Sequence, residues 1–303
     1  MSSVDERELV EVRMIEEGLR SAYGGDTEGV VEAFRGLRDF AVQLIHLDIT
    51  AEYELDAKAL IIAMGDIGRE TAEKRMETAS IASVRALGEV AIEAAGKKRE
   101  SLALKALSVL GNLALEFGGK RMDIAAKSAA ESLGSFGKVS SRGEMEILTG
   151  LSEVYLMQLS MKAMEEKLSE TWDIALNSLG EIGASSAEQV IENNAVGAAI
   201  LLEELGNAAV RRRDEHRVKA VIQALGKMGR ELSQKGSKNA LVQTVWALET
   251  LRVLALEYEM KSAGTEGKLE LELLNTAGIL DEEQNLEKIQ EIKEFHQRIL
   301  RRT

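Results

Sequence analysis

A chain of 303 residues that is 45% apolar has the material for a large core, yet it contains neither Pro nor Cys. Average usage of about 5% would give roughly 15 prolines, so their absence points to nearly continuous helix; the missing Cys excludes disulfides, zinc–thiolate sites, iron–sulfur clusters and thiol catalysis. A formal net charge of −13 disfavours docking on phosphate backbones or anionic lipid.

The first residues, Met1 to Glu8, are acidic and lack an apolar signal core. Residues 1–54 read as divergent N-terminal helices, with turn signals at Gly24-Gly25-Asp26-Thr27 and Leu47-Asp48-Ile49-Thr50. Regular repeats follow from 55 to 255. Each carries an apolar residue, Gly, any residue, an apolar residue, then Gly or Ala: Met64–Gly68, Leu87–Ala91, Leu110–Ala114, Leu133–Gly137, Leu179–Gly183, Leu205–Ala209 and Leu225–Gly229. The first glycines of the first four cassettes are 23 residues apart, and Gly134 to Gly180 is 46. Such a period is the signature of stacked units whose apolar faces only neighbours can cover. Turn residues fall on the same grid at Ala95-Gly96-Lys97, Gly118-Gly119-Lys120, Ser140-Ser141-Arg142-Gly143, Ala184-Ser185-Ser186, the run from Arg211, Lys235-Gly236-Ser237 and Leu280-Asp281. Gly at C′ is expected to end each helix, with Asp, Ser or Thr capping the next.

Three departures stand out. Gly206 lies 26 residues after Gly180 and 20 before Gly226, which reads as one turn moved by three residues; the stretch from Leu151 to Lys167 lacks a cassette and reads as a longer helix. Beyond Leu251 the glycine is lost, and 256–303, ending in the charged segment Asp281 to Arg302, reads as C-terminal capping helices. The spacing thus predicts one all-α domain over 1–303: about 12–13 antiparallel helices of about 17 to 19 residues, paired in units of about 46. Gly in a helix interior costs about 1 kcal/mol relative to Ala, so the cassettes imply close helix crossings, with Gly88, Gly111 and Gly180 buried against an adjacent helix.

The strings Ala86-Leu87-Gly88-Glu89-Val90-Ala91, Ser178-Leu179-Gly180-Glu181-Ile182-Gly183 and Ala224-Leu225-Gly226-Lys227-Met228-Gly229 resemble the Ala-Leu-Gly-x-Ile-Gly element of HEAT/armadillo-like repeats, including the short lyase-type variety. The resemblance covers roughly 55–255 and implies a right-handed α-solenoid. It implies no single function, since that family includes scaffolds, inhibitors, adaptors, chromophore lyases and a few DNA-repair enzymes. The chain departs from it in having no Pro and no consistent Asp–Arg ladder.

Chemistry is sparse. His46, His216 and His296 are scattered, so no metal or other cofactor is expected; no Ser sits in Gly-x-Ser-x-Gly, and Gly65-Asp66-Ile67-Gly68 lies mid-helix with no preceding strand, unlike a phosphate loop. Trp172 and Trp246 fit core positions, although Trp is also enriched at interface hot spots. The densest basic run, Arg211-Arg212-Arg213, is the candidate partner contact, because guanidiniums fork onto carboxylate and phosphate; the same residues also suit a solvated helix C-terminus. The most apolar stretch read from the sequence, Ala195 to Leu202, is too short to span a bilayer, so no membrane insertion and a cytoplasmic setting are expected. These features point to a non-enzymatic protein-binding scaffold or adaptor presenting an extended helical surface to another protein. The alternative is a nucleic-acid-binding or repair-type α-solenoid, which the acidic charge and scarce aromatics disfavour; a lyase-type enzyme or ligand carrier and a homo-oligomer follow behind.

Overall fold

The computed structural model describes residues 3–47, 51–187 and 191–276, among which are twelve helices and no strand. In chain order they are α1 (Ser3–Gly24), α2 (Thr27–His46), α3 (Ala51–Glu73), α4 (Glu77–Gly96), α5 (Glu100–Gly119), α6 (Asp123–Arg142), α7 (Glu146–Glu166), α8 (Ser169–Ser186), α9 (Glu192–Arg211), α10 (Glu215–Lys235), α11 (Lys238–Glu257) and α12 (Lys261–Thr276). From α4 onward every helix starts on one 23-residue grid. The repeat is a helix of about 20 residues with a link of about three, slightly longer than the sequence suggested. The expected helix beyond Asp281 lies outside the described residues.

The links are built differently from the expectation of Gly at C′ and a polar cap. Among the described residues the left-handed position falls on Arg75, Lys98, Arg121, Glu144, Lys167, Arg213 and Glu259, with Gly only at Gly25 and Gly236. Each of these nine links closes with a backbone hydrogen bond reaching back five residues, such as Met76 N–H to the Thr71 carbonyl (2.9 Å), Met122 to Phe117 (2.9 Å) and Met260 to Ala255 (2.7 Å). That is the Schellman arrangement, in which the residue after the left-handed one makes an apolar contact with the helix it leaves. Met76, Met122, Met145, Leu168 and Met260 occupy that place and are buried. Burying this anchor holds the turn, so a charged residue tolerates a positive φ that costs about 1–2 kcal/mol. Lys98→Gly should relieve that strain and raise stability by roughly 0.5–1 kcal/mol in urea unfolding, because the relief exceeds the added chain entropy of Gly. A loss of stability would show that Lys98 makes a stabilising contact of its own.

Where the N-cap side chain makes no capping bond, as at Met122 before α6 and Ser237 before α11, the first N–H groups of the helix lack a local acceptor. Acidic residues at helix starts supply one from two helices earlier. Glu77 Oε1 accepts from Ala125 N–H (2.8 Å), Glu192 Oε1 from Asn239 N–H (2.9 Å), and Glu215 Oε1 from Ser262 and Ala263 N–H (2.8 and 3.2 Å). Negative charge at these N-termini also suits the helix dipoles.

The chain divides into two compact units, 1–178 and 179–303, with the boundary inside α8. Within each, short links make consecutive helices antiparallel, and helices also pack on the one two places on: α1–α3, α2–α4, α3–α5, α4–α6 and α5–α7 in the first unit, α9–α11 and α10–α12 in the second. Odd- and even-numbered helices therefore form two layers.

The cassette is the contact between helices of one layer. A Cβ built on Gly65 would lie 2.6 Å from Val109 Cγ1, and one on Gly88 2.8 Å from Ser132 Cβ; on Gly111 it would collide with the Tyr155 ring. The partner is 44 residues ahead each time. Gly68 and Gly229 meet Leu113 and Leu274, 45 ahead. Gly88, Gly111 and Gly180 are all buried, as expected. Gly180 departs in one respect: an added Cβ would touch Ala224 only at 3.8–3.9 Å, an ordinary contact.

This register corrects two readings. No turn has moved near Gly206, since α9 and α10 keep the grid; Gly206 is the second small residue of its cassette, 23 residues from both Gly183 and Gly229, and Glu203 takes the first position. Likewise α7 is an ordinary 21-residue helix, with Met157 and Ser160 at the cassette positions.

Candidate functional site

Arg211, Arg212 and Arg213 are exposed on the link between α9 and α10, Arg213 in the left-handed conformation. Beside them Asp214 caps α10, accepting the Arg217 N–H (3.1 Å) and guanidinium (3.0 Å). The link on the same edge between α11 and α12 carries Tyr258 and Glu259, so the cationic cluster stays local. His46 Nε2 lies 3.1 Å from Glu93 Oε2. His216 is exposed at the start of α10, and His296 lies outside the described residues. No group of three or more His, Asp and Glu that could hold a metal ion occurs among the described residues.

Trp172 is buried in the core, whereas Trp246 is only half-buried. Counting back from Trp246 by 46 residues at a time gives Ile200, Val154, Ser108 and Ile62 in the other odd helices, which also point outward. Ala195–Leu202 is likewise not the most apolar stretch. By length and composition α5 could cross a membrane, with more than half of its most apolar window buried inside the protein.

The two surfaces of the first unit differ sharply. The even-helix surface is mostly polar, Ile124 on α6 being the exposed large apolar side chain on its described helices, and is bridged by ion pairs, Arg38 to Glu89 at 3.0 Å and Lys127 to Glu170 at 2.8 Å. In the second unit α10 and α12 are joined in the same style, by Lys219 and Gln223 to Glu266 and by Arg230 to Glu270. The odd-helix surface of the first unit instead exposes Leu55 and Ile62 on α3, Leu104 on α5, and Ile147 and Val154 on α7. Contiguous apolar exposure of this kind marks interaction surfaces. Sequence reading missed it because a helix touching neighbours on two sides is apolar over more than one stripe, and the outward stripe becomes separable only once the layers are known.

One carboxylate stands apart. Glu203, at a cassette position, is held above the usual carboxylate range by burial and by the neighbouring charge of Glu204. A raised folded value means the ionised form opposes folding, so stability rises as pH falls through that value towards the unfolded one. Glu203→Gln should therefore stabilise the protein at neutral pH and lose the advantage in acid. An equal effect at both pH values would assign the gain to packing.

No protein-family model matches the chain, and no curated protein does. Among solved structures it is similar to a circular tandem repeat protein with novel repeat topology and enhanced subunit contact surfaces, at 13% identity and a TM-score of 0.54, over 97% of this chain and 76% of that one. Together with the helix array, that similarity gives the fold: an all-α helical repeat solenoid.

Proposed function

We propose that the protein is a non-enzymatic scaffold that binds another protein on the odd-helix surface of its first unit. The observation carrying this is the contrast within that unit between even helices that expose one large apolar side chain, Ile124, among their described residues and odd helices α3, α5 and α7 that expose five. A two-layer stack held by close crossings displays such a surface with little ordering cost on binding. The twelve carboxylates and four cations of α3, α5 and α7 would repel a phosphate backbone, which weighs against the nucleic-acid alternative. A HEAT- or armadillo-like relationship and a cytoplasmic setting belong to the same proposal, the first supported by the Ala-Leu-Gly-x-Ile-Gly strings. Arg211 to Arg213 offer a separate contact for an acidic partner, and replacing all three with Ala should then weaken binding and flatten its salt dependence.

The test is a photo-crosslinking side chain at Ser108, on the odd surface, compared with one at Arg85, on the even surface, in the native host. Adducts with a partner are expected from Ser108 and not from Arg85. Equal capture from both positions, or turnover of a substrate by the purified protein, would overturn the reading.

A further inference from the structure

We infer that the odd-helix surface of the first unit takes a basic amphipathic helix, an assignment of partner chemistry that rests on the scaffold reading above. The apolar side chains form a band across three parallel helices: Leu55, 66% exposed, and Ile62 on α3, Leu104 on α5, and Val154 with Ile147, 79% exposed, on α7. Neighbouring helices in such a layer lie about 8–10 Å apart, so the band crosses about 20 Å, the length of roughly 13 residues of helix. Small residues, Ala59, Ser101 and Gly150, lie between the large ones and leave room for side chains arriving from above.

The charge frame selects the partner. Helices α3, α5 and α7 carry twelve carboxylates, all but the buried Glu153 reaching the surface, against Lys58, Arg69, Lys105 and Lys162, whereas α4 and α6 of the other layer carry five against four cations. Three of the four cations are already engaged on their own helix, Lys58 with Glu54 at 2.7 Å, Arg69 with Asp66, and Lys162 with Glu165 and Glu166 at 3.5 and 3.6 Å. Exposed Glu52, Glu100 and Glu146 stand at the N-terminal ends of the three helices. An apolar band framed by carboxylates complements a helix with leucine-like side chains at i, i+3, i+4 and i+7 and with lysine or arginine on its flanks.

The full chain is titrated with an 18-residue peptide bearing Leu at helical spacing and Lys elsewhere, with the same peptide carrying Glu for Lys, and with a scrambled peptide of the first composition. The Lys–Leu peptide is expected to bind and to weaken as salt rises. The Glu peptide should not bind, and the scramble should bind at least tenfold more weakly. Ile147→Ser with Val154→Ser, both at exposed positions, should cost tenfold or more with the folded state unchanged by circular dichroism. Equal binding of peptide and scramble, or an unchanged affinity in the double variant, would overturn the inference. Capture of a partner at Ser108 with no binding of the Lys–Leu peptide would sink the basic-helix inference and leave the scaffold reading standing.

Discussion

Gly111→Leu should lower the stability of the protein by about 1–3 kcal/mol, read as a fall in the urea midpoint, because the new side chain must enter space held by the Tyr155 ring of the helix two places on. Gly111→Ala and Gly88→Ala should act in the same direction, since even one methyl group meets Tyr155 or comes within 2.8 Å of Ser132 Cβ. Gly180→Ala should do the opposite. Its Cβ would sit at an ordinary distance from Ala224, so the only change is the better helix propensity of Ala, a gain of about 0.5–1 kcal/mol. Destabilisation at all three glycines would mean that backbone approach, rather than the particular side chain 44 residues ahead, sets the requirement; neutrality at all three would remove the packing role of the cassette.

Glu192→Ala should cost about 2 kcal/mol at neutral pH, because one carboxylate serves four donors on the start of α11. These are the Asn239 N–H and the Ser237 hydroxyl (both 2.9 Å) and the Ala240 N–H (3.4 Å) on Oε1, and the Asn239 side-chain amide (2.9 Å) on Oε2. Burial pushes the Glu192 carboxyl upward, and the hydrogen bonds outweigh it, leaving the group below the usual carboxylate range. For a depressed carboxylate the stabilisation is present above the unfolded value and lost as pH falls through the folded one. The difference between wild type and Glu192→Ala should therefore shrink in acid. A difference that holds constant from neutral to acidic pH would show that the side chain acts by packing.

Much of the fold was legible because two signals recur on one grid. The 23-residue spacing of Gly65, Gly88, Gly111 and Gly134 is a direct record of helix-on-helix contact at every second helix. Other parts were hidden for physical reasons. The links at Lys74-Arg75-Met76, Glu166-Lys167-Leu168 and Tyr258-Glu259-Met260 contain no Gly, Asn or Asp, since a buried Met or Leu holds the left-handed residue that Gly would otherwise supply. Gly206 was misplaced because one glycine cannot say which of the two small cassette positions it fills; the helix starts on either side decide that. Capping between Glu192 and Asn239 spans 47 residues, beyond any local sequence rule. The exposed band of Leu55, Leu104 and Ile147 was invisible for a related reason, as its members share a surface only after α3, α5 and α7 are laid side by side. Arg211 to Arg213, the cluster most conspicuous in the sequence, are exposed on a single link.

The central claim is a register within each unit: a helix packs on the second helix after it, with cassette positions meeting partners 44 or 45 residues ahead. The absence of native Cys allows a clean test. A Cβ at position 180 would lie 3.9 Å from Ala224 Cβ, within the roughly 3.5–4.5 Å that a disulfide requires. Gly180→Cys combined with Ala224→Cys should therefore oxidise completely under mild conditions in the folded protein, leaving no free thiol, while Gly180→Cys combined with Lys227→Cys, about one helical turn out of register, should stay reduced. Free thiols in the first pair, or equal oxidation of both, would contradict the register and the two-layer stack built on it.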